Sequence, residues 1–386
     1  MKIVIAPDSF KESLSAMDVA TAIEGGFREI FPNAEYVKKP MADGGEGTVQ
    51  AMIDATGGRK IECQVTGPLG EQVAGFYGLT GGDDPVAVIE MAAASGLELV
   101  PPQSRNPATT TSFGTGELIR HALDAGARKF VLGVGGSATN DGGAGMVQAL
   151  GVRLLDAQGA ELAYGGGELA RLDRIDVSGL DARIRDCTFE IASDVSNPLV
   201  GPQGASAIFG PQKGATPEMV EQLDANLRHY AKVLDRDLGR DVAQVEGAGA
   251  GGGIAAAMLV FFNGRLRPGS EIVAEAIGLD AAIRDADLVI TGEGRIDSQT
   301  INGKTPIGVT RVAQRHGKPV IGIGGCLAPN ASVVHEHGID AIFAAVNCPC
   351  TVQEALAAAS ANLHSAGRNI AAALRLGAQL DRKQPH

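Results

Sequence analysis

Gly133-Val134-Gly135-Gly136-Ser137-Ala138-Thr139-Asn140-Asp141-Gly142-Gly143-Ala144-Gly145-Met146 places six glycines in fourteen residues. An apolar run, Phe130-Val131-Leu132, precedes it, and residues 146–150 are compatible with a helix. Strand, glycine turn and helix start together aim free backbone N–H groups at an anion. Glycine lets the backbone approach a phosphate closely and take positive φ. Ser137, Thr139 and Asn140 add neutral hydrogen-bonding groups, and Asp141 adds a carboxylate able to hold a metal. A tight turn that merely packs a helix onto a sheet explains the stretch equally well. The balance tips because four further stretches of the same character lie along the chain.

Outward from this stretch, short apolar runs alternate with helical segments. Residues 2–6 read as a buried strand running into Asp8-Ser9-Phe10-Lys11, then a helix from about Ala16 with Ser15 as its cap. Residues 35–39 form a second strand, followed by Asp43-Gly44-Gly45-Glu46-Gly47 and another helix. Acids and bases at strand C-termini occupy the ligand-binding edge of an open α/β sheet. Helix capping and the helix dipole are the plain structural alternatives there. From residue 60 the pattern changes to two alternating runs around Gly67-Pro68-Leu69-Gly70, a hairpin signal. A hairpin inside a βα chain marks an inserted domain, entered near residue 60.

Residues 106–117 carry a hydroxyl-rich run before a helix, and residues 188–199 read as a strand ending at Asp194, a position suited to magnesium. Lys213 sits on a Gly-Pro loop before a long amphipathic helix, 217–238. Gly247-Ala248-Gly249-Ala250-Gly251-Gly252 fits the dinucleotide fingerprint formally, but residues 241–246 make a poor strand before it. Asp287-Leu288-Val289-Ile290-Thr291 is a strong buried strand marking the return to the first domain. The turn expected after it brings Glu293, Arg295, Asp297 and Lys304 into the densest charged group on the chain. Residues 298–305 approach a Walker A loop, but Ser298 stands where its first glycine belongs. Exposed ion pairs alone would also account for that charged group.

Bulk properties narrow the function. With 386 residues, two domains are the prior expectation. A net charge of −12 argues against nucleic acid or an anionic membrane as partner. The 53 glycines are about twice the usual share of ~7% and are clustered, not periodic. The absence of Trp leaves no broad stacking platform. Five scattered cysteines include Cys348-Pro349-Cys350, which lacks the spacing of zinc or redox pairs. His335-Glu336-His337 likewise lacks zinc spacing. Without a signal-peptide pattern or a membrane-length run, a cytoplasmic enzyme is the expectation, and a homo-oligomer is compatible with it.

Five segments together resemble the bacterial glycerate kinases. They are Ala6-Pro7-Asp8-Ser9-Phe10-Lys11-Glu12, Ala42-Asp43-Gly44-Gly45-Glu46-Gly47-Thr48, residues 135–143, Phe209-Gly210-Pro211-Gln212-Lys213-Gly214 and Thr291-Gly292-Glu293-Gly294-Arg295. The likeness runs from residue 1 to about 375. It implies phosphorylation of D-glycerate by ATP with magnesium, in the branch whose product is 2-phosphoglycerate. A glycerate 3-kinase or another sugar-acid kinase is the nearest alternative, and an NAD(P)-dependent oxidoreductase the alternative of another class. It implies two α/β domains: a discontinuous Rossmann-like parallel-sheet domain with an inserted α/β domain, and an active-site cleft between them. The expected bounds are 1–59 plus 286–386 for the first and 60–285 for the second.

The chemistry of phosphoryl transfer, which is mostly positioning and charge neutralisation, assigns the residues. Gly135, Gly136, Ser137, Thr139 and Asn140, with Gly249 and Gly251, are expected to cradle ATP. Asp194, with Asp141 or Asp43, is expected to hold magnesium. Lys11, Lys213, Arg295 and Lys304 compete to stabilise the transferred phosphoryl group and to grip the glycerate carboxylate. Glu293 or Asp8 is expected to orient or deprotonate the attacking hydroxyl, while Ser9, Asp43 and Glu46 bind substrate.

Overall fold

The computed structural model describes residues 1–381. Its strands, in chain order, are β1 (Lys2–Ile5), β2 (Glu35–Lys38), β3 (Arg59–Thr66), β4 (Gln72–Leu79), β5 (Val86–Glu90), β6 (Lys129–Gly133) and β7 (Arg153–Leu155). There follow β8 (Arg174–Asp176), β9 (Thr188–Ala192), β10 (Arg265–Arg267), β11 (Leu288–Ile296), β12 (Val320–Leu327) and β13 (Ala341–Ala344). The chain divides into two compact units. Met1–Asp43, Gln50–Thr56 and Ser270–His386 make the first; Gly44–Val49 and Gly57–Gly269 make the second. Residues 270–285, expected with the insertion, thus group with the first unit. Their helices Gly269–Ala276 and Leu279–Arg284 carry Ile272, Val273, Leu279 and Ile283 on buried faces.

The first unit is built on a five-stranded sheet of order β13-β12-β11-β1-β2, every neighbouring pair parallel. Counted within the unit this is the doubly wound order 2-1-3-4-5, whose switch point lies between β1 and β11. Short apolar runs such as Ile3-Val4-Ile5 and Val289-Ile290 are fully buried, as a sheet covered on both faces demands. The helix Ala16–Arg28 packs Val19, Ile23 and Phe27 against Ile3, Ile5 and Ile290. Ser15 caps that helix through the Asp18 N–H, as its sequence position indicates.

β11 differs from the reading of the sequence. Gly292-Glu293-Gly294-Arg295, expected as a turn, continues the strand to Ile296 in register with β12. A Cβ on Gly292 would lie 2.2 Å from the Ile323 carbonyl oxygen, so glycine here permits strand contact where a loop was expected. Glu293 and Arg295 are therefore held by a sheet.

The second unit has a six-stranded sheet of order β10-β9-β6-β5-β4-β3. β5, β6, β9 and β10 run parallel, and the β3–β4 hairpin around Gly67–Gly70 adds two antiparallel strands. β7 and β8 form a separate two-stranded ladder. Ile89, Leu132 and Ile191 fill one core with Met146, Leu227 and Tyr230, the last two from the helix Pro217–Leu238. No strand forms over residues 241–246, so the fingerprint at Gly247–Gly252 lacks the βαβ setting a dinucleotide site needs. Among the described residues no helix is long and apolar enough to cross a membrane.

Candidate active site

At the switch point of the first unit, β1 hands its pairing beyond Ile5. The Ala6 N–H donates to the Ile290 carbonyl at 2.7 Å and the Asp8 N–H to the Gly292 carbonyl at 2.8 Å. The buried Thr291 hydroxyl donates to the Ala6 carbonyl at 2.9 Å. Pro7 and Asp8 are thus fixed as an extension of the sheet. The Asp8 carboxylate accepts from the Ser9 N–H and from the Thr305 hydroxyl, both at 2.7 Å. Thr305 opens the helix Thr305–Arg315, so its hydroxyl is placed by a helix start. Lys11 projects from a tight loop closed by reciprocal backbone bonds between Phe10 and Leu14, with Glu12 at φ 62°.

Glu293, 8% exposed, is gripped as firmly. The Thr300 hydroxyl donates to one carboxylate oxygen at 2.6 Å, and the Lys304 ammonium to the other at 3.3 Å. Arg295 lies 3.4 Å from Asp297 and is largely exposed. Asp8, Ser9, Lys11, Asp43, Glu293, Arg295, Asp297 and Lys304 all line one cavity of about 600 Å³. Seven of these eight were named as site residues from the sequence; Asp297 was noted only as part of the charged group.

The electrostatics of this cavity are unbalanced. Burial, then the Asp43 charge, push the Asp8 carboxyl up to about 7, with Glu293 adding to the rise. The bonds from Thr305 and Ser9 oppose that shift. Asp8 keeps some exposed surface toward the cavity, yet protein encloses it closely enough for desolvation to dominate. Burial also raises Glu293, against the pull of Thr300 and Lys304. A carboxylate that titrates near neutrality, in a cavity also lined by lysines and an arginine, can take a proton from a substrate hydroxyl.

The glycine-rich residues of the second unit are arranged otherwise. Asp141 is fully buried and both its oxygens accept from protein. One takes the Ser112 N–H at 2.9 Å, the Ser112 hydroxyl at 2.8 Å and the Gly145 N–H at 3.2 Å; the other takes the Gly143 N–H at 3.1 Å. Expected as a metal ligand, Asp141 instead holds the turn's own backbone together. A Cβ on Gly252, which has φ 70°, would fall 1.9 Å from the Thr139 carbonyl oxygen. The two glycine stretches therefore interlock backbone to backbone. Asn140 donates to the Ser206 hydroxyl at 2.9 Å. Gly249 is buried against the Pro198 carbonyl. Gly135 and Gly136 are the members of the expected phosphate cradle that remain exposed, and Gly251 is half-buried.

Lys213 also departs from expectation. It is 1% exposed, on a short 3₁₀ turn, and donates to the Ser137 hydroxyl at 2.8 Å and the Thr139 carbonyl at 2.7 Å. Burial lowers its pKa to about 7, with Asp141 pulling the other way. It braces the glycine turn from within. Asp194 is exposed and accepts from the Gly269 N–H at 3.3 Å. Glu46 is exposed beside Glu90, whose carboxylate takes the Val49 N–H at 2.8 Å. Among the described residues no three His, Cys, Asp or Glu side chains gather as a metal cluster. Asp141, buried and accepting four hydrogen bonds from protein, is a poor magnesium ligand, and Asp194 is exposed.

The sequence reading missed Glu90, the positioning roles of Thr300 and Thr305, and the apolar wall of the cavity. Thr305, just before Pro306 at a helix start, carried a usable signal. The wall residues, Ala345, Val346, Val352, Ala355 and Leu356, carried none, since small apolar residues look like any core.

The chain resembles known proteins along nearly its whole length. The sequence profile of the glycerate kinase family matches residues 3–375. The glycerate 2-kinase of Escherichia coli K12 is 59% identical over 377 residues, covering 98% of this chain and 99% of its own. A Haemophilus influenzae glycerate kinase is 57% identical, covering 97% of this chain and 99% of its own. A crystal structure from Salmonella typhimurium LT2, described as a glycerate kinase 2, superposes with a TM-score of 0.91 at 60% identity, covering 98% of this chain and 99% of that one.

Proposed function

We propose, from the premise that the chain belongs to the glycerate kinase family, that it transfers the γ-phosphoryl group of ATP to the 2-hydroxyl of D-glycerate. The products are 2-phosphoglycerate and ADP. The observation that carries the reading is Asp8: a carboxyl raised to about 7, pinned by two donors, at the switch point of a parallel sheet. In the reaction an O–P bond forms to the glycerate hydroxyl and the bond to the ADP oxygen breaks. Asp8 receives the hydroxyl proton. Lys304, Arg295 and Lys11 neutralise the glycerate carboxylate and the transferring phosphoryl group. Glu293 and Thr300 hold Lys304 in place.

Magnesium enters this scheme with ATP, its ligands supplied largely by phosphate and water. The 2-hydroxyl is favoured by the likeness to the Escherichia coli protein named glycerate 2-kinase. The five free cysteines fit a reducing, cytoplasmic setting. A coupled assay for ADP, run with and without D-glycerate, tests the activity. No glycerate-dependent ADP would refute it. Phosphorus NMR of the product separates 2- from 3-phosphoglycerate, and the 3-isomer would overturn the regiochemistry alone.

A further inference from the structure

We propose that the apolar half of the first unit's cavity seats the purine base of the nucleoside triphosphate, an inference that rests on the phosphotransfer reading above. The cavity has about 600 Å³, within the range of roughly 300–1,000 Å³ typical of drug-sized ligands and far more than glycerate fills. Its two ends differ in chemistry. Asp8 and Lys11 follow β1 and Glu293 lies within β11; Ala345 and Val346 follow β13, and Ala355, Leu356 and Ala359 belong to the two helices after it. Glycerate carries only polar groups on its three carbons, so it gains nothing from the second end.

The spacing suits a nucleotide. From β1 to β13 the sheet order is β1-β11-β12-β13, three inter-strand steps of about 4.8 Å, or roughly 14 Å. That is about the length of an extended nucleoside triphosphate. A base beside Ala345 and Val346 would therefore direct its γ-phosphate toward Lys304 and Asp8, while the Ser13 hydroxyl, donating to the Leu356 carbonyl at 3.4 Å, ties the helix after β13 to the Lys11 loop. The far end contains no aromatic ring, so the base is gripped between aliphatic side chains. Asn362, also in the lining, supplies an amide that both donates and accepts, as reading a base edge requires.

Ala355→Phe adds bulk on the apolar side of the cavity. The expected result is a KM for ATP raised about tenfold or more, with kcat and the KM for glycerate within about twofold of wild type. A rise in the glycerate KM in its place, or an unchanged ATP KM in a folded variant, overturns the proposal. Photolabelling of the wild-type protein with 8-azido-ATP reads the same question without a substitution. Label is expected within residues 341–362. Label elsewhere, on a protein that phosphorylates glycerate from ATP, overturns the base site and leaves the function standing. A wild-type protein without ATP-dependent turnover overturns both.

Discussion

Each unit of this protein buries an ionisable group whose pKa sits near 7, and the two do opposite things. In the first, Asp8 is desolvated beside other carboxylates and opens onto a cavity. In the second, Lys213 is desolvated inside the glycine turn and bonds only to protein, at Ser137 and Thr139. Burial raises an acid and lowers a base, so both arrive at neutrality from opposite sides. What separates chemistry from architecture is access: one group faces space that a substrate can fill, and the other is closed over.

That contrast can be broken most sharply at Asp8. Asp8→Asn is expected to lower kcat by about 10²–10⁴-fold, the usual contribution of a general base. The rise of kcat/KM with pH through about 7, expected of the wild type, should vanish with it. Stability should move the other way. A folded-state pKa raised above the unfolded one stabilises below about 4, and that contribution is lost as pH rises toward about 7. Asp8→Asn should therefore melt higher than wild type at pH 8 and close to it at pH 4. A variant with full activity would show that Asp8 serves the fold alone.

Gly252→Ala should be the most damaging change in the second unit. It places a Cβ at positive φ against the Thr139 carbonyl, and a loss of roughly 3 kcal/mol or more is expected in urea unfolding. Lys213→Met is expected to cost about 1–3 kcal/mol at pH 9, because it strands a buried carbonyl and a hydroxyl. The deficit should shrink at pH 6. A lysine whose folded pKa is lowered from 10.5 to about 7 loses stability as pH falls across that interval, the loss being complete below about 7, and methionine has no such loss. Equal deficits at both pH values would show that Lys213 is not desolvated as the structure places it.

The smallest structural effect is expected at Gly135. A Cβ there meets nothing closer than the Gly45 Cα at 3.8 Å, so Gly135→Ala should change stability by about 0.5 kcal/mol or less. A raised KM for ATP in this folded variant would give the exposed part of the turn a role with phosphate. An unchanged KM would leave the whole stretch to architecture.

The strand ends were readable because parallel sheets collect their ligands there and because short apolar runs punctuated by Asp, Lys and Gly mark such ends. Asp8, Asp43, Glu293 and Lys304 were found that way. The same logic overreached at Asp141 and Lys213. A glycine-rich turn exposes N–H groups whether their acceptor is a phosphate or a buried aspartate, and the sequence carries no sign of which. Glu293 was placed in a loop because glycine on either side resembles a turn, although Gly292 is there to let β11 and β12 approach.

By itself, then, the sequence determined the alternation of strands and helices, the inserted hairpin and the chemical character of the first unit's charged site. These follow from periodicity and residue type, which are local properties. Only the tertiary structure decided which charges face a cavity and which are sealed, since burial depends on residues far apart in the chain. Thr305 meets Asp8 across 297 positions, and Lys213 meets Ser137 across 76. Desolvation, and the pKa it sets, begins only when such distant partners close.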